Sequence, residues 1–303
     1  MNEEQRLKML LPPEPGAEVL LDTDAFNEID DPFAIAYLIS SSELKPVAIC
    51  AAPFLNERSV SPEDGMEKSY AEIQKVLRLA GREDLLSCVC RGAGRFLDAG
   101  GGPVECDATE RIIREALRHD TENPLYVVSI GAATNTASAL LLCPEIRERM
   151  TVVWLGGNAP FWRDAREFNL MQDRRAACIL AESGVPFVRL PCLGTVDRFY
   201  STEPELKHWL SGRNPLADYL AQNAIAAANS YAEGKPWSRV IWDVTAVAWL
   251  KNRGERFLFS SLGPAQTVSE DYRMIPFAGA QTMRTVTYVR RDELMEDLFR
   301  LLM

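Results

Sequence analysis

Val19-Leu-Leu-Asp-Thr-Asp-Ala-Phe-Asn-Glu-Ile-Asp-Asp-Pro-Phe-Ala-Ile-Ala-Tyr-Leu-Ile39 is the stretch that decides the fold of this chain. It opens on the apolar run Val19 to Leu21, which predicts a buried parallel strand. It closes with Phe33, Ala34, Tyr37 and Leu38 on one helical stripe. Between strand and helix stand Asp22, Asp24, Glu28, Asp30 and Asp31, five carboxylates within ten residues. Such a cluster folds only if a cation, hydrogen-bond donors or water neutralise it. Open α/β sheets bind ligands at the carboxyl ends of their strands, where this loop falls. The donors are all oxygen, so a hard divalent cation suits them. The plain alternative is a helix cap, but a cap needs one oxygen and Asp24, Asp30 and Asp31 offer a surplus.

The remaining composition narrows the function. The 303 residues are 47% hydrophobic and 25% charged, enough for a large core. A net charge of −10 without a basic cluster argues against a nucleic-acid partner. No apolar run reaches membrane-spanning length, and the charged start Met1 to Lys8 carries no signal-peptide core. Seven cysteines without metal-knuckle spacing predict a reduced, cytoplasmic protein. With His119 and His208 the only histidines, a histidine-based metal site or triad is not expected.

Residues 1–18 read as an N-terminal tail broken at Pro12-Pro13. Val47 to Ala52 predicts a second buried strand, followed by a polar loop in which Asn56 is the ligand-facing residue. Helices are predicted over Met66–Leu79 and Thr109–Leu117, with a short strand at Leu86–Cys90. Gly92 to Pro103 matches no phosphate loop and reads as flexible surface. Leu125 to Ile130 is a strand that runs into Gly131 and a small-residue helix. Thr151 to Leu155 is another strand, followed by Gly156-Gly157-Asn158 and then Arg166-Glu167-Phe168-Asn169. In an extended segment Glu167 and Asn169 share one side. Arg239 to Leu250 repeats the opening pattern of strand, acid and helix, with Asp243 at the helix start. Strand and helix alternate from residue 19 to about residue 190. That predicts an α/β fold: one domain with an open, mostly parallel sheet and helices on both faces.

Asp22-Thr23-Asp24 followed by Asp30-Asp31 resembles the N-terminal motif of the inosine-uridine preferring nucleoside hydrolase family. The family pattern has three residues between the second and third Asp, and this chain has five. Thr134-Asn135, Glu167-Phe168-Asn169 and Asp243 match further family positions in order, so the resemblance spans nearly the whole chain. It implies a calcium-dependent enzyme that cleaves the N-glycosidic bond of ribonucleosides with water, and a dimer or tetramer. It implies that Asp24, Asp31, Asp243 and the Thr134 carbonyl hold the ion and that Asp24 is the general base. Asp30, Asn56, Asn158, Glu167 and Asn169 would bind the ribose, and Asp22 would orient its neighbours. Family members that accept pyrimidines commonly carry a His just before the last Asp; here Trp242 stands there, so a purine or modified purine is expected.

Two rival readings accompany this one. A sugar- or nucleoside-binding protein could keep the site without turnover, and the longer first loop is its support. A metal-dependent phosphohydrolase could use the same acids, but no Lys or Arg lies between Asp22 and Asp31 to receive phosphate.

Overall fold

The computed structural model describes residues 1–232 and 234–303. The chain opens with α1 (Glu3–Met9), β1 (Ala17–Thr23), α2 (Asp31–Ser40), β2 (Leu44–Ala51), α3 (Pro62–Leu79), β3 (Val89–Cys90) and α4 (Asp107–Ala116). It continues through β4 (Leu125–Ser129), α5 (Thr134–Leu142), β5 (Met150–Leu155), α6 (Phe168–Gln172), α7 (Arg174–Glu182), β6 (Phe187–Leu190) and β7 (Tyr200–Ser201). Then come α8 (Glu203–Leu210), α9 (Pro215–Ala232), β8 (Arg239–Val240), α10 (Val244–Trp249) and β9 (Leu258–Pro264). β10 (Gln266–Val268), β11 (Met274–Pro276), β12 (Thr282–Val289) and α11 (Arg291–Leu302) complete it.

Eight strands form one sheet in the order β3-β2-β1-β4-β5-β6-β12-β9. All neighbours are parallel except β12 and β9. The predicted open, mostly parallel sheet is therefore the architecture. Its central strands are apolar on both sides because both faces are covered. On one face Leu21, Phe33, Tyr37 and Trp249 belong to a core shared by α2, α3, α10 and α11. On the other, Leu20, Val127, Trp154 and Leu180 belong to a core shared by α4, α5 and α7. β1 lies beside β4, and the connection after β1 runs to β2 on one side while the connection after β4 runs to β5 on the other. That is the switch point at which the carboxyl edge opens into a crevice.

Three local expectations differ from the structure. Residues 1–18 are not a loose tail. Asn2 caps α1 through the Gln5 amide, Met9 and Leu10 are fully buried, and the buried Arg6 donates to the Gly184 carbonyl at 2.6 Å. The segment from Gly92 to Pro103 is tied down as well. The Leu97 amide donates to Asp173 at 2.7 Å, and Arg95 donates to the Gly100 carbonyl at 2.6 Å. Residues 86–88 belong to a 3-10 turn over Glu83–Cys88, which leaves only Val89 and Cys90 in the strand. Tertiary contacts decide all three, and local composition does not register them.

Candidate active site

β1 delivers the first acids. Its register sets Asp22 beside Cys50 of β2 and Ser129 of β4. Asp22 accepts from Asn135 Nδ2 at 2.8 Å, Ser129 Oγ at 3.3 Å and Thr136 Oγ1 at 3.4 Å. It thereby ties β1 to β4 and α5. Burial pushes its carboxyl up to about 7 against those three donors. Asp24 follows at the strand's end, 1% exposed, with an Oδ2 that has no hydrogen-bond partner. Gly131 is required here: a Cβ on it would stand 2.9 Å from Asp24 Oδ1.

The longer loop between Asp24 and Asp30 is anchored. Ala25 and Ile29 are buried, and Arg58 donates to the carbonyls of Phe26 at 3.1 Å and Asn27 at 3.0 Å. Asp30 then takes the position before α2, yet its side chain caps nothing. Asp243 takes the same position before α10 and caps nothing either. The plain capping reading fails for both, so their oxygens are left for a ligand. Donor atoms of Asp30, Asp31 and Asp243 lie within 4.8 Å of one another. Asp31 also accepts from Thr23 Oγ1 at 2.5 Å.

Burial first, and then the neighbouring carboxylates, raise Asp24 and Asp243 well above the usual range. Asp30 is raised well above it by burial and by Glu28 and Asp31, against the pull of Arg239. Burial carries Asp31 up to about 6, with the Thr23 hydroxyl opposing it. Four buried acids without an internal cation, one with a bare oxygen, fit a hard divalent ion.

The acids floor a cavity of about 270 Å³ lined also by Asn27, Ile130, Asn158, Glu167, Asn169, Cys192 and Trp242. Glu167 and Asn169 both reach it, though not from an extended segment. Glu167 caps α6, its carboxylate accepting from the backbone N–H groups of Asn169 at 2.9 Å and Leu170 at 3.2 Å. A third donor is the Gly157 N–H at 2.9 Å. Asn169 donates to the carbonyls of Ile130 and Leu155, both at 3.1 Å, which leaves its oxygen free. Asn158 lines the cavity while its amide group holds the Asp164 and Arg166 carbonyls and its oxygen accepts from the Leu193 N–H. Trp242 both lines the cavity and packs on the core behind it.

Two residues expected to touch the ion or the ribose stand outside the lining. Asn56 donates to Asn27 Oδ1 at 2.6 Å and supports Asn27, which is the residue that lines the cavity. Thr134 lies in the first turn of α5 with its hydroxyl on Asp173 at 2.7 Å. The residue at the cavity wall on this side is Ile130, directly after β4. Asn27 and Cys192 carry no motif signal; each lies in the connection that follows a strand, β1 for Asn27 and β6 for Cys192. His119 lies elsewhere, in a larger cavity of about 500 Å³ at the amino ends of β1 and β4, where it faces Glu18 at 3.3 Å.

A mostly parallel sheet with a buried acid cluster at its switch point is an arrangement suited to a hard divalent cation and a polar small molecule. The sequence profile of the inosine-uridine preferring nucleoside hydrolases matches residues 19–293, and the chain belongs to that family. It is by class a ribonucleoside N-glycosyl hydrolase. The pyrimidine-specific ribonucleoside hydrolase RihA of Escherichia coli O9:H4 (strain HS) is 26% identical over 260 residues, 77% of this chain and 78% of the relative. A plant nucleoside hydrolase, the PpNRh1 enzyme, superposes with a TM-score of 0.76 at 20% identity, covering 95% of this chain and 99% of its own. The purine-preferring ribonucleoside hydrolase from Gardnerella vaginalis superposes with 0.73 at 21% identity, covering 94% and 99%. No helix among the described residues is long and apolar enough to cross a membrane.

Proposed function

We propose that the protein hydrolyses the N-glycosidic bond of a purine or modified-purine ribonucleoside with calcium as its cofactor. The observation that carries this reading is the unpartnered Asp24 Oδ2 beside three other buried acids at the cavity floor. Asp24, Asp31 and Asp243 would hold the ion, with Asp30 beside them. Ile130, in the β4–α5 connection, lines the cavity, and Thr134 does not. The bound ion supplies Lewis acidity toward water and the ribose hydroxyls.

The chain's own groups do the rest. Asp24 accepts the proton of the attacking water through its free oxygen. The free oxygen of Asn169 and the carboxylate of Glu167 accept ribose hydroxyls. Positive charge builds on the ribose as the bond breaks, and the acids around it stabilise that charge. No histidine lines the cavity among the described residues, while Trp242 lines it beside Asp243. That supports stacking on a two-ring base, with solvent protonating the leaving group. The same reading includes a cytoplasmic homo-oligomer, supported by seven free cysteines and by the family resemblance.

The test is a panel of purine, pyrimidine and modified nucleosides, followed by mass spectrometry and reducing-sugar release with and without a chelator. Release of free base and ribose, lost on chelation and restored by calcium, supports the proposal. No release from any nucleoside, or release indifferent to metal, refutes it.

A further inference from the structure

One row of side chains crosses three neighbouring strands on the face covered by α4, α5 and α7. In the register of β1, β2 and β3, Asp22 stands beside Cys50, and Cys50 stands beside Cys90. The preceding rung pairs Ile49 with Val89. Ile49 and Val89 belong to one core and Cys50 and Cys90 to the other, so the two thiols share a face. Neighbouring strands lie about 4.8 Å apart, inside the Cα separation of about 4.4–6.8 Å that a disulfide spans. The bond also needs Cβ atoms about 3.8 Å apart, so one strand has to close in by about 1 Å. β3 is the strand free to do so: it has two residues and lies at the edge of the sheet, paired on one side only. Just beyond it the chain already presses on β2, since a Cβ on Gly92 would stand 1.9 Å from the Ala51 carbonyl oxygen.

The pair is chemically unequal. The Cys50 thiol donates to the Cys90 sulfur. That bond first, and then burial and the charges of Cys90 and Asp22, push the Cys50 thiol well up. The same bond, joined by Arg111 and Arg114 of α4, holds the Cys90 thiol below its ordinary value against burial and Asp107. The thiolate is the form that attacks. Cys90 is 9% exposed and Cys50 not at all, so a small reagent meets Cys90 first.

We propose that Cys90 and Cys50 form a peroxide-responsive dithiol, with Cys90 the attacking sulfur and Cys50 the resolving one. The Cys90 thiolate attacks one oxygen of hydrogen peroxide and the O–O bond breaks. The departing hydroxide takes up the proton that Cys90 had released and leaves as water. The Cys50 sulfur then displaces hydroxide from the Cys90 sulfenic acid, and the Cys50 proton completes a second water. Both sulfurs are oxidised, both peroxide oxygens are reduced, and a small thiol reverses the bond by exchange. In a reducing compartment such a bond is transient. It closes beside Asp22, whose hydrogen bonds tie β1 to β4 and α5. Neither cysteine lines the catalytic cavity, so the dithiol stands whether or not the proposed reaction is correct.

The test treats the full chain with hydrogen peroxide, alkylates the remaining thiols, and digests it without reductant for mass spectrometry. The expected product is a pair of peptides joined through Cys50 and Cys90, with loss of two of the seven free thiols. Dithiothreitol should reverse both. Cys50→Ser should leave Cys90 as a sulfenic acid that dimedone traps, and Cys90→Ser should leave Cys50 unlinked. Cys88→Ser and Cys106→Ser should keep the Cys50–Cys90 bond. A wild-type Cys50 that stays reduced, or that joins any other cysteine, overturns the proposal. That reading is made on the wild type, so it holds even where a variant fails to fold.

Discussion

Two regions of this molecule bury acids, and they do so in opposite ways. Asp297 of α11 is 1% exposed and has every partner it needs within the chain. Lys251 donates to its Oδ2, Tyr37 donates to the same oxygen at 2.6 Å, and Arg256 and Arg300 reach its Oδ1 at 3.2 and 2.5 Å. Burial pushes that carboxyl up, but Lys251, Tyr37 and the arginines outweigh it and hold it below its usual range. Asp24, Asp30, Asp31 and Asp243 are equally buried, and all four are raised. The cation that acts on Asp30 is Arg239, which is already paired with Glu28. One cluster is a finished ion pair; the other is half of one. The carboxyl edge lacks the positive charge that Asp297 finds inside the chain, which is the arrangement a cation site requires.

The comparison is open to experiment, and the largest effect belongs to the finished cluster. Lys251→Met leaves Asp297 without its ammonium and should destabilise the fold by about 3–5 kcal/mol, read by denaturant unfolding. A loss near zero would mean that Arg256 and Arg300 suffice for Asp297, and the contrast would weaken.

Asp24→Asn should lower kcat by about a hundredfold or more, with the fold intact by circular dichroism. A variant with near wild-type turnover would move the general base to Asp30.

Metal removal should act on one cluster only. At a calcium concentration about a hundred times Kd, binding should add about 2.7 kcal/mol to stability, visible as a higher Tm. That gain should vanish in Asp31→Asn paired with Asp243→Asn and persist in Lys251→Met. Equal calcium response in all variants would place the ion elsewhere.

The two clusters should also give opposite pH slopes. Asp31 and Asp22 titrate at about 6 and about 7 in the folded chain. An unfolded Asp titrates at about 3.9. Between about pH 4 and pH 7 the folded metal-free chain holds more protons, so stability falls as pH rises through that window. Asp297 is depressed, so its contribution is complete above the unfolded value and is lost as pH falls through the folded one. Metal-free Tm should therefore decline toward neutral pH, and calcium should remove the part of the decline that comes from Asp31. A flat metal-free profile from pH 5 to pH 7 would contradict the raised acids.

The smallest effect concerns Trp242. Stacking on a base is worth about 0.5–1.5 kcal/mol, so Trp242→Ala should raise KM for purine nucleosides several-fold while Trp242→Phe keeps much of the affinity. If Trp242→Ala unfolds, the core contacts of Trp242 dominate over its cavity face.

How far the chain could be read from residues alone varied with the range of the cause. The run Val19 to Leu21, the surplus of acids before Pro32, and the repeat of that grammar at Asp243 are local patterns. Local patterns suffice for a parallel strand, a loop and a helix. The family resemblance added the order of the matches, and Glu167 and Asn169 do reach the cavity. The helical turn at Phe168 was hidden because Glu167 caps it, and its remaining donor, Gly157 N–H, is ten residues away. Asn56 looked ligand-facing because polar loops after strands usually are; the fold places Asn27 in front of it. The docking of α1 and of residues 92–103 rests on contacts with residues such as Gly184 and Asp173, which no local reading can anticipate.

By itself, then, the sequence determined the class of the sheet, the strand that opens onto the site and the carboxylates that converge there. Hydrophobic period and charge repulsion are properties of neighbouring residues. Only the tertiary structure decided which asparagine reaches the cavity, that Ile130 and not Thr134 stands at its wall, and which buried charges are matched inside the chain. Those outcomes depend on distances between segments far apart in sequence, and burial turns an unmatched charge at such a distance into a binding site.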